Sequence, residues 1–408
     1  MTSTPTRVPP AARRRVTATL YGYAFLDDFV LLYPVYALLF SDAGLSVGQI
    51  SSLFAVWSLT GVLLEIPTGA LADAVSRRLL LWSAPLLTAA GFALWVFAPS
   101  YGAFALGFVL WGAGGALASG ALEALVHDEL DRLGAAGRYA RVMGRARAAG
   151  LLGVMAATGL AGPLLARGGY RAVGVASIVV CLLAAAVATR FPEHRTAAGG
   201  GERWAATLRT GLAEARADRS VRGALLLVPA VGAVWGALDE YTPLLVRDTG
   251  VAEATVPWLL LMIWAGATAG GLLSGAAERL GDAPLAGLLA GAALALAAGA
   301  ATGSPAGLAL VAVAFGGFQL ASVLADARLQ RRIGSAGRAT LTSVAGLGTE
   351  VGTIAVYGAY AVAGTATGHG TAFALSALPY LVTALVLVAA RGAAPGTRRR
   401  ARRAPGPG

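Results

Sequence analysis

The chain has 408 residues, of which 57% are hydrophobic and only 13% are charged, and its mean hydropathy is +0.68. This composition excludes an ordinary soluble globular protein and favours a protein that spans a membrane. The formal net charge of +11 does not indicate binding to nucleic acid, because the arginines form short clusters between apolar segments, where they act as topology signals. The single cysteine, Cys181, has no partner for a disulfide, so redox and thiolate-metal chemistry are not expected.

Apolar segments of about 20 residues, the length that crosses the hydrocarbon of a bilayer, recur along the whole chain. Each is expected to be a helix, because a single segment in lipid must satisfy its own backbone hydrogen bonds. The predicted segments are 17–40, 47–72, 79–98, 102–126, 145–166, 171–190, 223–246, 255–276, 283–302, 305–328, 339–364 and 369–390. The predicted fold class is therefore an all-α membrane protein with twelve transmembrane helices in two pseudo-symmetric six-helix bundles.

A polar segment divides these helices into two sets. It contains three glycines at 199–201 and an amphipathic stretch at 204–217, and we interpret it as a linker that lies along the membrane surface. The predicted organisation is an amino-terminal tail at 1–16, a bundle at 17–192, the linker at 193–222, a second bundle at 223–390 and a basic tail at 391–408.

The two halves are related by an internal repeat. The segment Arg132–Arg138 recurs as Arg332–Arg338 with five of seven residues identical, which duplication explains better than chance. Two parallel six-helix repeats are typical of secondary transporters, whose substrate site lies near the membrane midplane between the halves.

Arginine placement predicts the orientation. If the amino terminus is cytoplasmic, almost all arginines fall in segments on the inner side, as the positive-inside rule requires. We therefore expect both termini in the cytoplasm, the plasma (inner) membrane as the location, and a monomer embedded in the lipid bilayer.

Adjacent acids occur in the middle of two predicted helices, at Asp27 and Asp28 in the first half and at Asp239 and Glu240 in the second. An ionised side chain at the bilayer centre costs about 3 kcal/mol on insertion scales, so such pairs indicate a function. We interpret them as protonatable groups that face a solute pathway, where they favour a cationic or proton-exchanging cargo. The alternative is that they form structural bonds within one half.

Two further acids extend this set of candidate proton- or substrate-binding residues. Glu350 stands among small residues and is expected to face the pathway. Glu123 lies near the inner end of the fourth predicted helix, where it could instead bind Arg145 or Arg147.

Helix geometry suggests which member of each pair faces the cavity. Neighbouring residues of a helix point about 100 degrees apart, so one acid can face the cavity while the other contacts a neighbouring helix. We favour Asp28 and Asp239. The residues that share their predicted helix faces are Tyr21, Phe25 and Leu32 for the first, and Trp235 and Thr242 for the second.

Aromatic side chains near these acids are candidate cavity walls. Their faces can bind a bulky or cationic ligand, although each is also compatible with packing or with an anchor at the membrane interface. The candidates are Tyr21, Tyr33, Tyr36, Trp57, Trp111, Trp235, Tyr241, Trp264, Phe318 and Tyr357.

Signatures of enzymes and ATP-driven pumps are missing from the sequence. It has no phosphate-binding glycine loop with a lysine, no paired metal ligands and no Ser/His/Asp set, and its three histidines (His127, His194, His369) lie at predicted loop edges. We therefore expect neither enzymatic activity nor a cofactor or metal.

The loop between the second and third predicted helices carries a family motif. It reads Glu65-Ile-Pro-Thr-Gly-Ala-Leu-Ala-Asp73-Ala-Val-Ser-Arg77-Arg78 and resembles the G-x-L-x-D-x-x-G-R-[KR] loop of the major facilitator superfamily. The matching residues are Gly69, Leu71, Asp73, Arg77 and Arg78, while Ala74 and Ser76 depart from the pattern. A degraded copy at 274–282 keeps an acid, a base and a glycine but ends in Asp282.

This resemblance covers residues 17–390 and implies a gating role for the motif. In that family the acid and the arginines lock the two halves together on the cytoplasmic side and release them during alternating access. The resemblance assigns this role to Asp73, Arg77 and Arg78, with Glu65 and Gly69 in the same motif. The alternative is that Arg77 and Arg78 serve only as topology anchors.

The fifth predicted helix gives weaker support for export. Gly150, Gly159, Gly162 and Pro163 partly resemble the glycine-proline motif associated with proton-coupled exporters of this family, although small residues also serve helix packing. The arginine that many drug:proton exporters carry in the fourth helix is missing, and Trp111 lies near its place.

The residues and the resemblance together predict a twelve-helix, drug:proton antiporter-like protein. It would be a proton-coupled secondary transporter working by alternating access, with protons and a small organic compound, cationic or an antibiotic, as cargo for efflux. One alternative is a proton-coupled uptake symporter on the same fold. Another, of a different class, is a non-transporting membrane sensor or scaffold.

Overall fold

The computed structural model describes residues 10–192, 194, 218–277, 280–333 and 338–392, and this part of the chain is helical, with no strand. The helices are α1 (Pro10–Asp28), α2 (Tyr36–Asp42), α3 (Val47–Ala74), α4 (Arg77–Phe97), α5 (Tyr101–Arg132), α6 (Tyr139–Ala188), α7 (Arg219–Asp239), α8 (Thr242–Asp248), α9 (Val256–Ala277), α10 (Asp282–Ala301), α11 (Leu308–Arg332), α12 (Arg338–Thr367), α13 (His369–Leu375) and α14 (Leu378–Gly392).

Nine helical segments in the described ranges are long and apolar enough to cross a membrane, judged by length and composition. Several helices coincide closely with apolar segments predicted from sequence, as α10 (Asp282–Ala301) does with 283–302. Helix α6 covers two predicted segments and is interrupted at Gly169, whose φ of 60° and ψ of −168° are accessible to glycine because it has no Cβ. The interruption lies between 145–166 and 171–190, where the sequence predicts a boundary.

The first predicted helix is not continuous, which corrects the expectation of a single run over 17–40. Helix α1 ends at Asp28, and α2 begins only at Tyr36. Pro34 lies in the gap, where its ring removes a backbone donor and disfavours a helical residue before it. Short turns satisfy part of the interrupted backbone, and Ser177 Oγ accepts a hydrogen bond from the Leu32 backbone N–H at 3.0 Å. Leu32 therefore does not share a helix face with Asp28.

The corresponding helix of the second half is also broken. Helix α7 ends at Asp239, and α8 starts at Thr242 with Pro243 among its first residues. A third break separates α13 from α14 just before Pro379. In the first two cases the acid pair lies at the break itself, so both pairs occupy helix ends rather than helix middles.

The helices form two bundles that meet along a limited set of contacts. Helices α1 and α3 to α6 pack together in the first half, and α7, α9 to α12 and α14 pack together in the second. Between the halves, α3 contacts α12, α6 contacts α9, and the short helix α2 contacts α8. These contacts place the breaks after Asp28 and Asp239 at the junction of the halves.

One end of the molecule carries most of the described loop arginines, and we call it the arginine-rich end. Here Arg77 at the start of α4 pairs with Asp128 near the end of α5, with Nη1 and Oδ2 2.6 Å apart. In the second half, Asp282 at the start of α10 pairs with Arg328 near the end of α11, with Oδ1 and Nη1 2.8 Å apart. Each half therefore has the same helix-to-helix ion pair with the charges exchanged.

Glycines allow several helices to approach closely. A Cβ at Gly150 of α6 would collide with the Asp28 carboxylate, and one at Gly153 would collide with the Phe25 carbonyl. Gly270 of α9 similarly faces the backbone of Gly316 on α11. Such contacts hold membrane helices together by van der Waals packing in place of a hydrophobic driving force.

Some expectations concern parts outside the described residues. These are the amphipathic stretch at 204–217, the tails at 1–9 and 393–408, the side-chain surroundings of positions 69 and 73, and residues 278 and 279 of the degraded motif copy.

Candidate functional site

Two cavities lie side by side at the helix breaks. The first, the aromatic cavity, has a volume of about 390 Å³. Its walls come from helices of the first half together with Asp239 of α7 and Trp264 of α9. Its acidic and aromatic lining residues are Asp27, Asp28, Tyr33, Trp57, Trp111, Asp239 and Trp264. Its volume lies within the range of small-molecule sites.

The second cavity has a volume of about 490 Å³ and lies between α3 and α5 of one half and α7 and α12 of the other. We call it the hydroxyl cavity, because serines and threonines line it beside Trp57, Trp111 and Tyr357. Its polar residues are Ser58, Glu65, Ser119, Glu240, Thr349, Glu350, Thr353 and Tyr357. Glu65 and Ser119 extend it towards the arginine-rich end.

Two tryptophans separate the cavities. The rings of Trp57 and Trp111 stack with centroids 5.2 Å apart and line both cavities. Tyr33 packs edge-on to Trp111 and, on its other side, lies 5.8 Å from Trp264. The aromatic cavity is thus bordered by four rings, whose faces attract cations.

The first acid pair faces the aromatic cavity with both carboxylates. Asp27 and Asp28 line its wall and are solvent-exposed from it. Among the described residues, none donates a hydrogen bond to Asp28, whose carboxylate rests against Gly150. Both acids lie at the carboxyl end of α1, where the helix dipole is negative and favours a cation.

The second acid pair is divided between the cavities. Asp239 lines the aromatic cavity, where Trp264 Nε1 donates to its Oδ1 at 2.8 Å and the Tyr33 hydroxyl lies 3.5 Å from its Oδ2. Glu240 lines the hydroxyl cavity instead. Neighbouring residues of a helix point about 100 degrees apart, and Glu240, which follows the last residue of α7, keeps helical dihedral angles of φ −65° and ψ −25°.

Glu350 on α12 is a cavity acid that directly contacts the other half. It is solvent-exposed in the hydroxyl cavity, and Ser58 Oγ on α3 donates a hydrogen bond of 2.5 Å to its Oε2. A hydrogen bond to an ionised acceptor is stronger than one to a neutral acceptor. The charge on Glu350 is therefore coupled to a contact between the halves.

A third, water-sized cavity lies between the two breaks. It has a volume of about 10 Å³ and is bordered by Tyr33, Tyr36, Asp239 and Glu240, among others. The Tyr36 side chain is buried, and its hydroxyl has no hydrogen-bond partner among the described residues. A space of this size with several polar partners can hold one water.

The end opposite the arginine-rich end is closed by bonds between the halves. Arg247 Nη1 lies 2.7 Å from Asp42 Oδ1, and its Nη2 donates to Ser41 Oγ at 2.6 Å. Nearer the cavities, the Tyr241 hydroxyl donates to Ser51 Oγ at 2.7 Å. The cavities are sealed on this side.

Other predicted site residues lie elsewhere. Tyr21 packs against the core of the first half, and Trp235 donates from Nε1 to Ser322 within the second half. Tyr241 is fully buried at the closed end. Glu123 is exposed on α5 and is not among the described residues that line the cavities.

The motif residues that can be described occupy two environments. Glu65 borders the hydroxyl cavity. Arg77 pairs with Asp128 of its own half, and Arg78 is exposed.

One polar cluster was not predicted from sequence. Glu129 is buried at the end of α5 and accepts hydrogen bonds from Arg132 and from the backbone N–H of His194, whose Nδ1 lies 2.7 Å from Glu129 Oε1. The signal that could have revealed it is a glutamate at an apolar position of a helix, three residues before an arginine.

Solved structures with the same architecture are membrane transporters. A bacterial homologue of the human lysosomal transporter Spinster, inward-facing and unoccupied, is 18% identical with a TM-score of 0.69, covering 94% of this chain and 96% of that one. The nucleoside transporter NupG gives 13% identity and a TM-score of 0.72, covering 93% and 98%. A D-xylose-proton symporter gives 17% identity and a TM-score of 0.64, covering 91% and 96%.

A search of curated proteins gives no significant match. The family model described as Major Facilitator Superfamily matches residues 17–357. This match spans most of the chain and agrees with the fold shared by the solved transporters. The chain therefore belongs to the major facilitator superfamily of membrane transporters.

Proposed function

We propose that the protein is a proton-coupled secondary transporter that exports a small organic cation by alternating access. One observation carries this proposal: Asp27, Asp28 and Asp239 face a single cavity of about 390 Å³, and the described residues that line it include no arginine or histidine. Uncompensated carboxylates in such a cavity require protons or a cationic ligand to neutralise them. Cargo is coupled to a proton gradient when the cation binds only as a proton leaves the protein.

The bonding pattern supports alternating access. The described bonds between the halves concentrate at the closed end, while the hydroxyl cavity extends towards the arginine-rich end. If twelve spans place the arginine-rich end and both termini in the cytoplasm, as the positive-inside rule favours, this is an inward-facing arrangement. Opening the other side requires the bonds of Arg247 and Tyr241 to break.

The direct test is an assay in proteoliposomes with an imposed pH gradient. Wild type is expected to move organic cations, and Asp28→Asn and Asp239→Asn are expected to lose most of this movement. If both variants move the cations with unchanged pH dependence, the proposed coupling is wrong. Movement of cations with the proton rather than against it would favour the uptake symporter, the alternative with the same fold.

The sensor or scaffold alternative makes the opposite prediction. It requires that neutralising the cavity acids leaves the cellular function untouched. The convergence of three carboxylates from α1 and α7 on one cavity supports transport instead. Acids at membrane depth are energetically unfavourable, and they typically mark substrate or ion pathways.

A further inference from the structure

The aromatic cavity and the hydroxyl cavity are adjacent but chemically different. Four aromatic rings and three carboxylates border the first. The second has four hydroxyl side chains and three glutamates, and its rings are the two shared tryptophans and Tyr357. A flat organic ion and a hydrated proton prefer such different surroundings.

We propose that the two cavities are separate sites: the aromatic cavity binds a monovalent organic cation with an aromatic or quaternary head, and Glu350 in the hydroxyl cavity carries the exchangeable proton. This inference rests on the proposed function and assigns its two cargoes to different carboxylates. The stacked Trp57 and Trp111 form the partition between them.

Several features of the aromatic cavity favour a cation. Ring faces attract positive charge, most strongly where the charge is desolvated. Asp28 has no hydrogen-bond donor among the described residues, so its carboxylate is available to a ligand. The carboxyl ends of α1 and α7 also converge here, and their helix dipoles add negative potential.

The hydroxyl cavity is suited to water and protons. Besides the two shared tryptophans and Tyr357, its walls include glycines, glutamates and short hydroxyl side chains, which leave room for water and can form hydrogen bonds with it. The titratable groups that face it are Glu65 of α3, Glu240 of α7, and Glu350 and Tyr357 of α12. Protonation of Glu350 removes the charge that strengthens its bond to Ser58, so it weakens a contact between the halves.

The divided pair Asp239 and Glu240 connects the two sites. Each borders a different large cavity, and both border the water-sized cavity at the helix break. Tyr36 also borders the water-sized cavity, and its buried hydroxyl has no hydrogen-bond partner among the described residues. A cation held beside Asp239 therefore lies near Glu240, the next residue of the chain, and acts on its charge at short range.

The first test measures equilibrium binding of ethidium, an aromatic cation, to the full-length protein in detergent at pH 8. Asp28→Asn is expected to weaken binding about 10-fold or more, and Asp28→Glu to restore part of it. Glu350→Gln is expected to stay within about 3-fold of wild type, because an exposed charge outside the binding cavity contributes little. Asp131→Asn removes an exposed acid of α5 and serves as the matched control.

Two binding results would overturn the proposal. Phenanthridine, the uncharged parent of ethidium, is expected to bind far more weakly, and equal affinity would show that the aromatic cavity does not select charge. If Glu350→Gln weakens ethidium binding as strongly as Asp28→Asn, cargo and proton share one site. Size-exclusion profiles and thermal unfolding of each variant identify any loss of fold.

The second test separates exchange from coupling in liposomes. Glu350→Gln is expected to keep ethidium counterflow, which needs no proton, and to lose acceleration by a pH gradient. Full acceleration in this variant would overturn the assignment of the proton to Glu350. If wild type shows no gradient-driven movement, the proton assignment fails together with the proposed function, whereas the binding results alone decide the cation site.

Discussion

Both halves place cavity carboxylates at the end of their first long helix, and the second half adds another on the helix that packs against it. In the first half α1 packs on α6, and in the second half α7 packs on α12. Gly150 and Glu350 are as far apart in sequence as Arg132 and Arg332 of the repeat, so they occupy equivalent positions. Gly150 leaves space for Asp28 of α1, whereas the equivalent position of the second half carries a further acid, Glu350.

At the arginine-rich end, the ion pairs of the two halves carry their charges on opposite helices. Asp128 and Arg328 are also separated by the repeat distance, and their partners are Arg77 and Asp282. The duplicated scaffold therefore fixes where charged groups meet, but not which helix contributes which charge. Each half could therefore acquire a different chemical task while it kept its packing.

Gly150→Ala is expected to have the largest effect, because it removes the space that Asp28 occupies. The added Cβ would collide with the Asp28 carboxylate and force it to turn away from α6, and overpacking of this kind typically costs about 1 to 3 kcal/mol. We expect a lower free energy of unfolding in detergent and weaker ethidium binding.

Gly144→Ala is the matched control for this change. It lies on the same helix α6, and a Cβ there meets nothing within 4 Å. It should be neutral or slightly stabilising, because alanine favours a helix over glycine. Equal stability of the two variants would show that the α1–α6 contact does not depend on Gly150.

Exchanging the charges of one ion pair tests whether the first half tolerates the polarity of the second. Arg77→Asp or Asp128→Arg alone places like charges together and is expected to cost about 1 to 2 kcal/mol of stability. The double variant reproduces the polarity of Asp282 and Arg328 and should recover most of this loss. A double-mutant cycle on thermal unfolding measures the recovery. Additive losses would show that the pair does not connect α4 to α5.

Tyr241→Phe should give the smallest effect. It removes one hydrogen bond between the halves, to Ser51, worth about 1 kcal/mol. Spin labels on α2 and α8 should then report a larger share of molecules with that end open. Tyr101→Phe removes a similar bond to Ser52 within one half and should leave the distance distribution unchanged. A shift of equal size in both variants would contradict the gating role of Tyr241.

The helix positions could be predicted because lipid imposes a simple rule on them. A segment of sufficient length and apolarity must be helical, and this rule places α10 to within one residue. The break after Asp28 was not predicted, although Pro34 in the sequence is a signal for it. Hydropathy averages over the window and so does not register a local interruption.

The candidate site was predicted in composition but not in arrangement. The acid pairs were identified by their cost in lipid, and Asp28 and Asp239 do share a cavity. The helical spacing anticipates that neighbouring acids point in different directions, as Asp239 and Glu240 do, but it does not anticipate that Asp27 and Asp28 line the same cavity. The contact of Glu350 with Ser58 joins residues that are distant in sequence, which no local pattern reports.

The breaks after Asp28 and Asp239 have a mechanical consequence. A continuous helix transmits a tilt along its whole length. The two parts of an interrupted helix can tilt separately, and the break between them acts as a pivot. Because the short helices α2 and α8 lie beyond the pivots and contact each other, they can swing apart while α1 and α7 stay in place. A substrate bound at the pivots could thus become accessible from the other side of the membrane without itself moving.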